Sequence, residues 1–246
     1  MLKIDQFDSQ IIGLPVGKIY ISDPLTPSSD IYKLCSASWD DLEAKIIFCT
    51  TNPAPINIHY LMKFGFRFIS ASSLYEFSQC SNLSYKLPER CSIKENGVVS
   101  SFISESFTEL AKLLGGVSHY GKDYLLGVDV AEKIFMQWLI NSFNGYAEKI
   151  FTVMCDEQLG GLVSLREKDG DLYIDLLGVR AAYSGMGLGN ALVKEAIKYA
   201  RVKNKKLFVW TQVENITASR LYQQNGFLTN RVNFVFHKTK NIETLL

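Results

Sequence analysis

The chain has 246 residues, 47% hydrophobic, 12% aromatic and 21% charged, with only 6 prolines, so it holds ample apolar material for a packed core. A disordered, collagenous or mucin-like chain is excluded, and the length predicts two modest domains sharing a face. With 26 basic against 25 acidic side chains the net charge is +1, too weak a field to draw in a phosphate backbone or an anionic membrane, and no nucleic-acid partner is expected.

The five cysteines, Cys35, Cys49, Cys80, Cys91 and Cys155, are odd in number and widely spaced, with no C-x-x-C pair and no histidine at ligand spacing. Neither a disulfide framework nor a zinc or other metal site is expected. The first five residues lack the basic-then-apolar order of a signal peptide, and no apolar run approaches the roughly 18 residues that span a bilayer. A cytoplasmic, reducing location is the expectation.

In chain order, short strands are predicted at 17–21, 44–49 and 68–77. Between them Ile56, Tyr60, Leu61 and Phe64 share one face of a helix that Gly65 stops. After a polar bridge at 87–96, a helix is predicted at 101–114 and a clearer one at 130–143. In the latter, Val130, Ile134 and Trp138 run beside Phe135, Leu139 and Phe143 in adjacent rows four residues apart. An antiparallel meander follows: strands at 150–155 and 161–166 around a turn at 158–161, then a strand at 172–179 after the turn Lys168-Asp169-Gly170. A glycine-rich loop at 185–189 opens a helix whose apolar face is Leu192, Val193, Ala196, Ile197 and Ala200. A strand at 207–210, a helix at 217–225 stopped by Gly226, and a strand at 232–236 complete the order.

The two halves echo each other. Setting Gly65-Phe66 on Gly226-Phe227 also brings Thr50 onto Thr211 and Leu74-Tyr75 onto Val235-Phe236. Chance similarity of common strand–helix–strand units explains this equally well. If the repeat is real, the first copy lacks a glycine loop and serves as a structural partner.

The loop Tyr183-Ser184-Gly185-Met186-Gly187-Leu188-Gly189 lies between a strand and a helix, where glycines admit a ligand close to the backbone and the helix start favours phosphate oxygens. A tight turn holding no ligand is the plainer alternative. A dinucleotide fingerprint is excluded, because Asn190 stands where glycine is needed and Trp210-Thr211-Gln212 where an acidic residue is needed. A P-loop is excluded because no Gly-Lys-Ser/Thr follows.

The stretch 174–237 resembles the GNAT superfamily of acyl-CoA-dependent N-acetyltransferases. The matching residues are Leu177-Gly178-Val179, the loop Gly185 to Gly189, Asn215, then Leu221-Tyr222 and Gly226-Phe227, in the superfamily's order and spacing. Ser184 replaces a customary Arg or Gln, and Trp210 stands where some protein-acetylating members carry a base. A narrower resemblance, through residues 135–143 and 161–167, is to the bacterial dTDP-fucosamine acetyltransferase family of cell-surface glycan synthesis. Its members acetylate dTDP-4-amino-4,6-dideoxy-D-galactose. The start at 7–13 is similar in kind.

The resemblance implies an α/β fold with a mixed sheet: a truncated GNAT-like domain over residues 1–95 before a catalytic GNAT domain over 96–246. It implies an enzyme that moves acetyl from acetyl-CoA to the amine of a nucleotide-linked amino-deoxysugar by direct attack in a ternary complex. Another small amine, a protein N-terminal amine, or a non-catalytic acyl-CoA-binding role are the alternatives. It gives the coenzyme diphosphate to backbone N–H groups of Gly185, Met186, Gly187, Leu188, Gly189 and Asn190. The pantetheine arm goes to Leu177, Gly178 and Val179, with an oxyanion donor near Val179 and a cofactor contact at Asn215, which also suits a helix N-cap. Tyr222 is the implied proton donor, although periodicity alone reads it as core. For the sugar nucleotide the candidates are His119, Tyr120 and Tyr124, in a stretch that also reads as a mobile loop, and Arg166, which also reads as an ordinary strand charge. No base stands out: Asp175 and Glu214 read as solvated charges, and His59 and His237 have no identifiable partner. A homodimer is what the resemblance and base rates imply.

Overall fold

The computed structural model describes residues 2–21, 43–79, 82–95 and 103–240. Cys35, Cys80 and the first two residues of the helix expected from 101 lie outside them. In chain order the elements are β1 (Lys3–Asp5), α1 (Gln6–Ile12), β2 (Val16–Ile21), β3 (Ile46–Thr51), α2 (Pro55–Lys63), β4 (Arg67–Phe77) and β5 (Cys91–Glu95). Then come α3 (Ile103–Val117), α4 (His119–Lys122), α5 (Gly127–Asn141), β6 (Lys149–Cys155), β7 (Gln158–Lys168) and β8 (Asp171–Val179). The last are α6 (Leu188–Val202), β9 (Leu207–Gln212), α7 (Ile216–Gln224) and β10 (Phe227–Thr239).

All ten strands form one mixed sheet in the order β1-β2-β3-β10-β4-β9-β8-β7-β6-β5. The chain's last strand lies between β3 and β4, and β4 lies between β10 and β9, so each half of the chain inserts a strand into the other. The echo acquires a physical form. Moved on by 161 positions, Ile46–Thr51 falls on Leu207–Gln212 and Pro55–Lys63 on Ile216–Gln224. The antiparallel pair β4·β10 lies at the centre of this arrangement.

Two cores sandwich the C-terminal strands. The expected face of α6 is buried on one side, with Val163, Leu165, Leu172 and Ile174 of the sheet. On the other side α3, α4 and α5 bury Leu110, Tyr120, Ile134 and Leu139 against Leu162 and Leu176. The even-numbered residues of β8 change sides between Ile174 and Leu176. The cause is a bulge: Leu165 pairs with Ile174 and Ser164 with Leu176, which leaves Asp175 as the extra residue. At the same place the parallel pairing of β8 with β9 ends, since it runs only from Leu172↔Leu207 to Ile174↔Val209. Beyond it the two strands diverge, and one edge of Leu176 to Val179 faces a crevice with no strand against it among the described residues.

Several expectations are corrected. The first hairpin of the meander turns at Asp156 and Glu157, both at positive φ (49° and 65°), so residues 158–161 are strand and not turn. The turn at Asp169 and Gly170 is as expected, both residues being left-handed. On α2 the buried residues are Asn57 and Leu61, while Ile56 is exposed. Asn57 rotates the helix inward because its amide donates to Thr51 Oγ1 at 2.9 Å and Asn52 Oδ1 at 2.6 Å at the end of β3. The expectation of no disulfide is overturned. Cys91 and Cys155 face each other across β5 and β6 and are bonded, 64 residues apart in sequence. Strand pairing, invisible to local spacing, brings them together.

Candidate active site

The crevice between β8 and β9 opens into a cavity of about 290 Å³. Leu177 and the end of β9, Trp210 to Gln212, line it together with Asn215 and Tyr222. His119 and Tyr120 of α4, Phe135 and Trp138 of α5, and Arg166 of β7 line it as well. Six residues singled out from the sequence therefore meet in one space: Leu177, Asn215, Tyr222, His119, Tyr120 and Arg166. Tyr124 does not join them. Its ring is 72% exposed and lies under the Arg67 guanidinium, 5.0 Å from the centroid.

The glycine loop stands at the start of α6, beyond the end of β8. Gly185 and Gly187 adopt left-handed φ of +77° and +78°, and a Cβ on either would meet nothing within 4 Å. The space in front of the loop is open. Gly187 is the N-cap and supplies no side chain, so the first N–H groups of α6, at Leu188, Gly189 and Asn190, have no capping acceptor. Leu188 is buried and Met186 packs against the same core, which leaves only their backbones for a ligand. Gly189 sits where a Cβ would touch Leu221 at 3.4 Å, and Gly178 where one would approach Leu110 at 3.0 Å, so α7 and α3 pack closely on these backbones. Val179, half-buried at the end of β8, packs beside Gly161 and Gly189.

Asn215 caps α7, its side chain accepting from the Ala218 N–H at 3.1 Å, and lines the cavity as well. Tyr222 is 4% exposed. No hydrogen-bond partner lies near its hydroxyl among the described residues, and burial alone pushes the phenol well above its ordinary value. It stays protonated at any physiological pH. Arg166 lies 3.2 Å from Asp175 Oδ1 and its guanidinium stacks over Tyr146 at 5.6 Å. Tyr120 is committed elsewhere, donating to Asp8 Oδ2 at 2.9 Å, while Lys18 bridges Asp8 and Asp5 at 2.8 and 2.9 Å.

A chain of buried polar groups behind His119 had no local sequence signal. Arg67 donates to both oxygens of Asp123 at 2.8 and 2.9 Å. Asp123 Oδ2 is 2.7 Å from Nδ1 of His237, and His237 Nε2 is 2.9 Å from Nδ1 of His119. His237, which showed no partner in the sequence, thus has two. Burial would raise the Asp123 carboxyl, but hydrogen bonds from His237 and Arg67 outweigh it and hold the group well below the usual carboxylate range. Burial lowers both imidazoles; His237 and Lys18 add to this at His119, while Asp123 opposes it at His237. The stretch 118–124 is no surface loop at this point: Ser118 caps a helical turn that carries His119 and Tyr120 inward. Among the described residues no group of His, Cys, Asp and Glu is arranged to hold a metal ion.

Comparison with known proteins agrees with this geometry. The spore coat polysaccharide biosynthesis protein SpsD of Bacillus subtilis (strain 168) is 27% identical over 135 residues, 54% of this chain and 47% of that protein. The chain thus spans about half the length of this curated relative. A GCN5-related N-acetyltransferase from Sphaerobacter thermophilus has the same fold, with TM-score 0.59 and 16% identity over 79% of this chain and 59% of that one. So does a tandem GNAT protein from the clavulanic acid biosynthesis pathway, with TM-score 0.59 and 12% identity over 92% of this chain and 76% of that one. At these identities the two structures show the fold alone. The model of the Acetyltransferase (GNAT) family matches residues 120–227. That match starts inside α4 and ends at the first residue of β10, so the stretch that is similar to the GNAT acetyltransferase family takes in the bulge, the glycine loop and Tyr222 together.

Proposed function

We propose that the chain transfers acetyl from acetyl-CoA to an amine, and that this acceptor is the amine of a nucleotide-linked amino-deoxysugar, of the dTDP-4-amino-4,6-dideoxyhexose kind. The observation that carries this is the make-up of the cavity that Tyr222 lines. The two segments that carried the sugar resemblance, 135–143 and 161–167, contribute Phe135, Trp138 and Arg166 to it, and Tyr173, paired with Arg166 on the next strand, and Trp210 line it too. Flat aromatic faces suit a base and a sugar ring, and a guanidinium suits a diphosphate. A relative named for spore coat polysaccharide biosynthesis supports a sugar acceptor.

The residues at the crevice fit acetyl-CoA. Open space lies before two left-handed glycines, the helix start is uncapped, and the edge of β8 is unpaired. In this reading the N–H groups of Gly185 to Asn190 hold the diphosphate, and the edge of Leu177 to Val179 holds the pantetheine arm as an added strand would. Acetyl-CoA supplies the activated thioester. A backbone N–H near Val179 steadies the oxyanion, and Tyr222, kept protonated by burial, gives its proton to the departing sulfur. We read residues 1–95 as a truncated copy of the same unit, supported by the 161-position shift that carries β3 and α2 onto β9 and α7. Its role is structural: β4 fills the place beside β9. Cytoplasmic action belongs to the same reading.

A thiol-release assay with a panel of amines tests it. The panel holds dTDP-4-amino-4,6-dideoxy-D-galactose, the free aminosugar, a polyamine and a peptide α-amine. Release with the sugar nucleotide above all others is expected. Preference for the peptide or polyamine overturns the sugar assignment, and no release with any amine favours a binding protein.

A further inference from the structure

We propose that His119 is the general base of the transfer, accepting the acceptor's ammonium proton on Nε2, and that His237 and Asp123 are positioning residues that fix its tautomer. The inference rests on the acetyl transfer proposed above and not on the identity of the sugar.

Asp123 is fully buried and takes a bidentate contact from Arg67, so it is ionised and can only accept. His237 Nδ1, 2.7 Å away, must therefore carry a hydrogen. A neutral His237 then has a bare Nε2, and His119 Nδ1, 2.9 Å from it, must donate. A neutral His119 is left with a bare Nε2 as its remaining nitrogen, and His119 lines the cavity that also holds Tyr222. The chain of contacts allows no other tautomer while both rings are neutral. Base and acid thus border the same space from α4 and α7.

The surroundings keep both rings neutral at rest. Phe48 of β3 packs on His237 and His119, with ring centroids 4.3 and 5.7 Å away. Lys18 of β2 opposes a charge on His119, while Asp8 of α1 holds Lys18 and Tyr120. Arg67 of β4 opposes a charge on His237, and Asp123 favours one on both rings. The burial that disfavours an imidazolium disfavours an ammonium in the same cavity as well, so the proton moves between two cations that the site penalises alike. Once His119 is charged, its Nδ1–H points to His237, whose own N–H points to Asp123.

The step balances. The ammonium gives one proton to His119 Nε2, and the freed lone pair forms the C–N bond while the carbonyl π pair moves onto oxygen; that pair then re-forms the C=O bond as the C–S bond breaks. The sulfur takes the proton of Tyr222, and the second proton of the nitrogen returns to the Tyr222 oxygen. His119 later releases its proton to water, so one proton leaves per amide formed.

Two measurements test this. In the ¹⁵N-labelled full-length protein at pH 7.5, imidazole NMR is expected to show His119 and His237 both protonated at Nδ1 and bare at Nε2. A His119 carrying its hydrogen on Nε2, or an imidazolium at that pH, overturns the proposal; this readout needs no acceptor and stands even if the sugar assignment fails. With dTDP-4-amino-4,6-dideoxy-D-galactose, or whichever panel amine turns over, His119→Gln is expected to lower kcat/KM by roughly 10²–10⁴. Acetyl-CoA affinity should be unchanged and the acidic limb of the pH profile should vanish. His237→Gln should keep that limb but move it. Retention of more than about a tenth of kcat/KM by His119→Gln, short of that range, or an unmoved limb in His237→Gln, overturns it.

Discussion

His237 Nδ1 and Asp123 Oδ2 meet at 2.7 Å although 114 residues separate them, and neither side chain reaches solvent. The stability of the fold is therefore tied to pH. Both His237 and His119 are lowered from an ordinary 6.5, so the unfolded chain binds protons that the folded chain refuses. Their contribution is complete above pH about 6.5 and is lost as pH falls below it, whereas that of Asp123 is complete above the usual carboxylate range and is lost progressively as pH falls through and below that range. Urea unfolding should show a midpoint that falls steadily from pH 7 to pH 5. His237→Gln should flatten that slope; a slope identical to wild type would contradict the assignment of the buried ring.

Tyr222 has no hydrogen-bond partner among the described residues, so Tyr222→Phe removes a hydroxyl without stranding another group. The variant should fold with near wild-type stability and bind acetyl-CoA as before. Its kcat should fall by roughly 10²–10⁴ if the phenol is the proton donor. A kcat above about a tenth of wild type, with chemistry rate-limiting, would fall outside that range and return Tyr222 to a packing role.

Gly187 sits at φ +78° with open space before it. Gly187→Val combines backbone strain with a blocked approach, and calorimetry should show loss of acetyl-CoA binding. Gly187→Asn separates the two effects, because asparagine tolerates the left-handed region at little cost yet still places a side chain before the loop. The Asn variant should fold as wild type and bind acetyl-CoA weakly. Unchanged affinity in both variants would remove the loop from the site.

The disulfide closes a loop between residues 64 apart, and chain entropy gives it a stabilisation of about 4 kcal/mol. Cys91 and Cys155 should be protected from a thiol reagent in denatured, unreduced protein and should be modified after reduction, as peptide mapping would show. Modification of both before reduction would mean that the pair is held as thiols. A reducing compartment would favour that state.

What the sequence disclosed and what it hid divide along physical lines. The α6 face, the glycine loop and the Asn215–Tyr222 helix were legible because periodicity and backbone conformation are local. The bulge at Asp175 was not, because it exists only as a mismatch of register with β7. Nor was the mutual insertion of β4 and β10, although the Gly-Phe echo pointed to paired units. His119 reads in the sequence as a substrate candidate, but its partner His237 comes from β10, and the group behind that ring is Asp123, the residue that follows α4. Asp123 is 56 residues from Arg67 and 114 from His237, beyond any local pattern. Tyr120 and Tyr124 looked alike in sequence, yet tertiary packing buries one against Asp8 and leaves the other on the surface.

The most direct test of the account is the ratio of kcat/KM for dTDP-4-amino-4,6-dideoxy-D-galactose to that for the free aminosugar. In the cavity lined by Trp138, Arg166, Tyr173 and Trp210, the remote nucleotide should supply the binding energy that orients the amine toward the thioester. The account predicts a ratio of at least roughly 10², the loss expected when a positioning handle is removed. Equal values for the linked and free sugars would contradict it.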